Sequence, residues 1–69
     1  MQRTPVSSST VAEIGYTVES RILEVLFKNG GLYQYFDVPP QEHEALMQSG
    51  SIGQYLNTAI KGKFRYARV

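Results

Sequence analysis

The chain has no cysteine and no tryptophan, and His43 is its one histidine. Without cysteine, neither a disulfide framework nor a thiolate zinc site can reinforce a small core, so a zinc finger is excluded. A single histidine also removes a His-rich metal cluster and any relay that needs a second imidazole. No apolar run approaches the roughly 20 residues that cross a bilayer, and no apolar signal segment follows Met1. These absences point to a soluble, cytoplasmic protein with no membrane partner. Charge of one sign is scarce too: seven basic residues against six acidic leave a formal net charge of +1, which gives no bulk attraction to nucleic acid. What is present is 69 residues, 42% hydrophobic and 19% charged. That suits one small domain and is too apolar for a disordered chain.

Residues 1–9, with Pro5 and the serines Ser7, Ser8 and Ser9, read as an N-terminal arm ahead of a single domain over 10–69. From Thr10 the pattern has period two, with Ala12, Ile14, Tyr16 and Val18 on one face and Glu13, Thr17 and Glu19 on the other. This predicts a half-buried strand in which Gly15 marks a bulge or a close backbone approach. A second strand follows over 21–28, with Leu23, Val25 and Phe27 on one side and Ile22, Glu24 and Leu26 on the other.

Asn29, Gly30 and Gly31 accept the positive φ of tight turns, so a third strand, residues 32–37, should fold back antiparallel on the second. A two-residue loop sets Tyr33 opposite Leu26 and Tyr35 opposite Glu24. A three-residue loop ending at Gly31 sets them opposite Phe27 and Val25. One residue of slip carries every side chain to the other face. The more apolar set Leu23, Val25 and Phe27 favours the second register, with both tyrosines under the helices.

Pro39 and Pro40 end that strand and suit a first helical turn, with Glu42 and Glu44 near the helix N-terminus, Ala45, Leu46 and Met47 on its apolar stripe and Gly50 at its C-cap. Ser51 and Gln54 have capping-box spacing. Behind them Ile52, Tyr55, Leu56, Ala59 and Ile60 keep the spacing of a helix face up to Gly62. Phe64 and Tyr66 then alternate with Lys63 and Arg65 as a short final strand or docked tail. The fold class is α+β: an antiparallel three- to four-stranded sheet in the order β-β-β-α-α, with a final β admitted, and a helical hairpin packed on one face.

Taken in order, Val6, Ser8 and Ser9, the Gly15-Tyr16 pair, Leu23-x-Val25-x-Phe27, Gly31, Tyr33-x-Tyr35, Val38-Pro39, Ser51-x-Gly53, Tyr55, Asn57 and Ile60-Lys61 resemble the KTSC domain. That family is named for the C-terminal extension of some lysyl-tRNA synthetases and also occurs as stand-alone bacterial and phage-related proteins. The resemblance spans nearly the whole chain. It implies a small uncharacterised module, with RNA binding suggested by attachment to a tRNA synthetase. Thr17 stands where the pattern expects aspartate, and Ile52 where it expects lysine.

Two groups of residues carry a functional reading. Tyr33 and Tyr35, with Tyr16, can form a stacking platform for bases, or they can simply pack a half-buried sheet. Lys61, Lys63, Arg65 and Arg68 place four basic residues in the last nine positions, with every acidic residue before them. They can neutralise phosphates, or they can solvate an edge strand. His43 lies between Glu42 and Glu44, but adjacent helical residues do not face one another, so the three cannot converge on a metal and a surface histidine is expected. No nucleophile elbow and no phosphate-binding glycine loop is present. The expectation is therefore a non-catalytic module, not an enzyme, without cofactor or metal. It would bind RNA (tRNA or single-stranded) through Tyr33, Tyr35, Tyr16, Lys61, Lys63, Arg65 and Arg68. The alternative is a protein-interaction module using a sheet edge or the Leu32/Gln34/Phe36 face.

Overall fold

Period-two apolar runs joined by short turns form the centre of a meander of five antiparallel strands in a computed structural model that describes residues 3–69. The strands are β1 (Arg3–Pro5), β2 (Val11–Thr17), β3 (Ile22–Phe27), β4 (Leu32–Tyr35) and β5 (Tyr66–Arg68), neighbours in that order. Between β4 and β5 the chain forms α1 (Pro40–Gln48) and α2 (Ile52–Tyr55), and α2 runs on into a π-helical turn over Leu56–Ile60. The α+β class and the helical layer on one face agree with expectation. The sheet has one strand more than the upper expectation of four.

The additional strand is β1, which lies inside the segment read as an arm. Met1 and Gln2 of that arm lie outside the described residues. Its residues have no apolar alternation, and its place is set by the partner: Arg3 pairs with Gly15 and Thr4 with Ile14. In β2 the bulge falls between Val11 and Glu13 rather than at Gly15. The extra residue turns Val11 inward beside Ile14, while Val18 leaves the sheet and is exposed. The core-facing set of β2 is therefore Val11, Ile14 and Tyr16, not the unbroken alternation.

The β3–β4 hairpin has a three-residue loop, but it is Lys28, Asn29 and Gly30. The Phe27 amide donates to Gly31 O at 2.8 Å and the Gly30 amide to Phe27 O at 3.0 Å. Gly30 takes the left-handed position, φ +95, and Asn29 Oδ1 accepts from the Gly31 amide at 2.9 Å. Starting the loop one residue earlier shifts the pairing by two: Tyr33 opposes Val25 and Tyr35 opposes Leu23. The expected partners Phe27 and Val25 are thus replaced, yet a two-residue shift keeps the face.

Core packing follows from these registers. Val11, Ile14, Leu23, Val25 and Tyr35 of the sheet meet Val38, Leu46, Ile52, Leu56 and Ile60. Pro40 opens α1, as expected of a proline in a first turn. Its end is closed by Ser49, whose amide and hydroxyl both donate to Leu46 O, so Gly50 is not the cap. At α2 the Gln54 amide donates to Ser51 Oγ at 3.4 Å. In the π-helical turn the Lys61 amide reaches back five residues to Leu56 O, 2.9 Å away. Gly62, at φ +84, then reverses the chain toward β5.

Candidate functional site

The helices leave part of their face of the sheet uncovered, and the residues there are aromatic. Directly opposed strand residues share a face, so Tyr66 lies with its partner Tyr35, and Arg68 with Tyr33. Phe27 of β3 completes a cluster drawn from three strands. The Phe27 and Tyr33 rings meet edge to face, with centroids 5.6 Å apart. Tyr66 lies tilted 5.9 Å from Tyr33 and 5.8 Å from Tyr35. These are favourable separations for aromatic pairs. Together with Asn29 and Lys61 they line a groove of about 480 Å³.

Two cations sit on these rings. Lys61 Nζ lies 5.1 Å from the Phe27 centroid, and the Arg68 guanidinium carbon 5.9 Å from that of Tyr33, both within cation–π range. Neither is paired with a carboxylate among the described residues. Tyr66, 61% exposed, leaves its ring open to a ligand. An aromatic floor beneath unpaired cations can stack a planar base and hold an adjoining phosphate.

The seven residues singled out from the sequence do not converge. Tyr33, Tyr35 and Lys61 line the groove, and Arg68 lies over Tyr33. Tyr35 is 2% exposed; its ring belongs to the core, and burial together with Tyr33 and Tyr66 raises its hydroxyl pKa. Tyr16 lies two strands away. Its ring stacks on His43 at 4.6 Å and 7°, its hydroxyl donates to Val38 O at 2.5 Å, and burial raises its pKa. Lys63 and Arg65 do not share a strand, because β5 begins only at Tyr66. They line a shallower surface with Phe36 and Phe64. There Arg65 bonds Asp37 Oδ2 at 2.9 Å and lies 5.9 Å from the Phe36 ring. The residues missed by sequence reasoning are Tyr66, Phe27 and Asn29. The Tyr66-x-Arg68 alternation was the available sign of the first.

His43 is not a bare surface residue. It is half-buried on Tyr16, and that burial lowers its pKa. Glu42 accepts from the Tyr55 hydroxyl at 2.6 Å. Among the described residues no cluster of three His, Cys, Asp or Glu could hold a metal, and no helix is long and apolar enough to cross a membrane.

Among the described residues, the opposite face of the sheet carries no helix. Arg3 lies beside Gly15 and Gly15 beside Glu24, so the arginine reaches over a strand position without a side chain. Its Nε meets Glu13 at 2.9 Å and its terminal nitrogen Glu24 at 2.6 Å. Gln34 donates to the other Glu24 oxygen at 2.9 Å. The Gln34 bond first, then the arginine, lower the Glu24 pKa against burial. Glu24 is only 6% exposed, screened by its own partners, and half-buried Ile22, Leu26 and Leu32 surround it.

Comparison with known proteins fits this architecture. The KTSC domain family model matches residues 7–64. An uncharacterised protein of Stutzerimonas stutzeri is 40% identical over 70 residues, covering all of this chain and 99% of that protein. A lysine–tRNA ligase of Nostoc punctiforme is 36% identical over 61 residues, which is 88% of this chain but 11% of that enzyme. The crystal structure of a KTSC domain protein from Yersinia pestis is 43% identical and superposes with a TM-score of 0.96, covering 99% of this chain and 96% of that one. Sequence and fold agree along nearly the whole chain, which belongs to the KTSC domain family.

Proposed function

We propose that this KTSC domain is a non-catalytic, cytoplasmic RNA-binding module whose contact surface is the aromatic groove. The observation that carries the reading is the exposed Tyr66 beside Tyr33 and Phe27, with Lys61 and Arg68 over the rings and no carboxylate in the lining. Bases of any sequence have a π-face to stack, and the two cations suit phosphates. The likeness to a segment of a lysine–tRNA ligase, an enzyme whose name places it beside RNA, adds support.

Binding of short single-stranded RNA, followed by fluorescence anisotropy at low and near-physiological salt, tests it. Affinity should fall with salt by about 0.7 log units per neutralised phosphate for each tenfold increase. Tyr66→Ala should weaken binding by about tenfold, since stacking contributes roughly 1–3 kcal/mol per base. Salt-independent binding, or affinity unchanged in Tyr66→Ala, rejects the groove.

A second reading rests on the helix-free face. Half-buried Ile22, Leu26 and Leu32 around the Arg3–Glu24–Gln34 network offer a protein partner an apolar surface with a fixed polar centre. Loss of partner capture on Leu32→Asp, with RNA absent, would favour it.

A further inference from the structure

The aromatic groove continues into a second, polar cleft of about 940 Å³, and the two share Phe27, Asn29 and Lys61. This volume is at the upper end of the roughly 300–1,000 Å³ typical of ligand sites. Resting on the RNA-binding reading, we propose that this cleft is the phosphate subsite of the same strand. The base stacks at Tyr66 and the neighbouring backbone passes Lys61 toward Lys28 and the serines.

Three observations carry the assignment. The first is charge. None of the six acidic residues lines the cleft or the groove, while Lys28 and Lys61 both line the cleft. Neither lysine is paired with a carboxylate among the described residues. In a chain with nearly balanced charge, two adjoining depressions that share Phe27, Asn29 and Lys61 are free of carboxylates.

The second is hydroxyl chemistry. Ser8 Oγ accepts from the amides of Thr10 and Val11, both at 3.2 Å. A hydroxyl has two acceptor lone pairs and one proton. With both lone pairs engaged, Ser8 has only its proton to offer, and it can act on a ligand solely as a donor. Ser51 Oγ likewise accepts from Gln54 and keeps its proton. Donors beside cations, without competing carboxylates, select an oxyanion.

The third is clearance. A Cβ at Gly53 would come within 2.8 Å of Thr10 Oγ1 and 3.5 Å of Ser8 Oγ. Gly53 therefore lets α2 approach the N-terminal segment closely enough to bring Ser8 and Ser51 to one cleft.

The experiment compares wild type, Lys28→Glu and Tyr66→Ala, each confirmed folded by amide NMR, against a short single-stranded RNA and against inorganic phosphate alone. Lys28 is an exposed loop residue, so its reversal leaves the core intact. If the cleft holds backbone phosphate, Lys28→Glu weakens RNA binding and makes the salt slope shallower by about 0.7 or more, the loss of one phosphate contact. Unchanged slope and affinity in Lys28→Glu, with binding still lost in Tyr66→Ala, overturns the cleft and leaves the groove standing. If wild type binds no RNA, the functional reading falls. Phosphate-induced shifts at residues 7–10 and 51–54 would then keep the cleft as a small-anion site, and their absence would overturn it too.

Discussion

The two faces of this sheet solve burial in different ways. On the helical side, Val11, Ile14, Leu23 and Val25 are wholly covered by Leu46, Ile52, Leu56 and Ile60, and their stabilisation comes from removing apolar surface from water. On the other side no helix among the described residues covers the strands, yet Glu24 is as inaccessible as a core residue. It is covered by its own partners, Arg3 and Gln34, at a position where Gly15 leaves room for them. One face is closed by shape and the other by a polar lattice. The helical face stops being covered near β5, and there the same alternation that fills the core delivers Tyr66 and Arg68 to solvent. A core and a candidate binding groove are thus adjoining stretches of one face, and they differ only in whether a helix reaches them.

Truncating the two neighbouring tyrosines should divide that face most sharply. Tyr35→Ala removes a buried ring and should lower stability by about 3–5 kcal/mol, in the range of large aromatic truncations. Tyr66→Ala, one strand away, should change it by no more than about 0.5 kcal/mol. Urea unfolding measures both, and equal losses would erase the boundary between core and groove. Next in size is Glu24→Gln. Removing the charge from the Arg3–Glu24–Gln34 network should lose about 1.5–3 kcal/mol at neutral pH, as for hydrogen bonds to charged groups. The folded-state pKa of Glu24 is lowered from 4.5, so its contribution is complete above that value and is lost as pH falls through the folded one. The gap between wild type and Glu24→Gln should close over the same acid range. A gap that persists would mean that the amide fails on shape and not on charge.

The hairpin separates what was legible in the sequence from what was not. Leu23, Val25 and Phe27 identify the core side of β3, and parity then puts Tyr33 and Tyr35 on it. The starting point of the loop was not legible, because Asn29, Gly30 and Gly31 all accept turn conformations. The first loop residue is Lys28, which has no turn signature of its own. The face survived because moving a three-residue loop by one position moves the register by two. β1 was illegible because its strand character lies in Ile14 and Gly15 across the ladder and not in Arg3, Thr4 and Pro5. The groove was only half legible. Tyr33 and Lys61 stand out locally, but Phe27, Tyr33 and Tyr66 meet through three strands. The separation of Lys61 and Arg68 from Lys63 and Arg65 depends on the reversal at Gly62. Gly30→Ala tests the hairpin account directly. An alanine at φ +95 is strained, and about 1 kcal/mol should be lost while the tyrosines keep their face.

The smallest effect gives each face its own pH signature. His43 belongs to the helical side, stacked on Tyr16, and burial lowers its pKa from 6.5. The unfolded chain therefore takes up a proton before the folded one does. The His43 contribution is complete above 6.5 and declines as pH falls below it, whereas that of Glu24 holds until about 4.5. Acidification should loosen the helical face first and the polar lattice second. Stability followed by urea midpoints should dip gently below pH 6.5 in wild type and in Glu24→Gln, and stay level in His43→Phe, which keeps a ring for Tyr16 to stack on. A dip that survives in His43→Phe would assign it to another group. A dip missing from Glu24→Gln would couple the two faces that the geometry keeps apart.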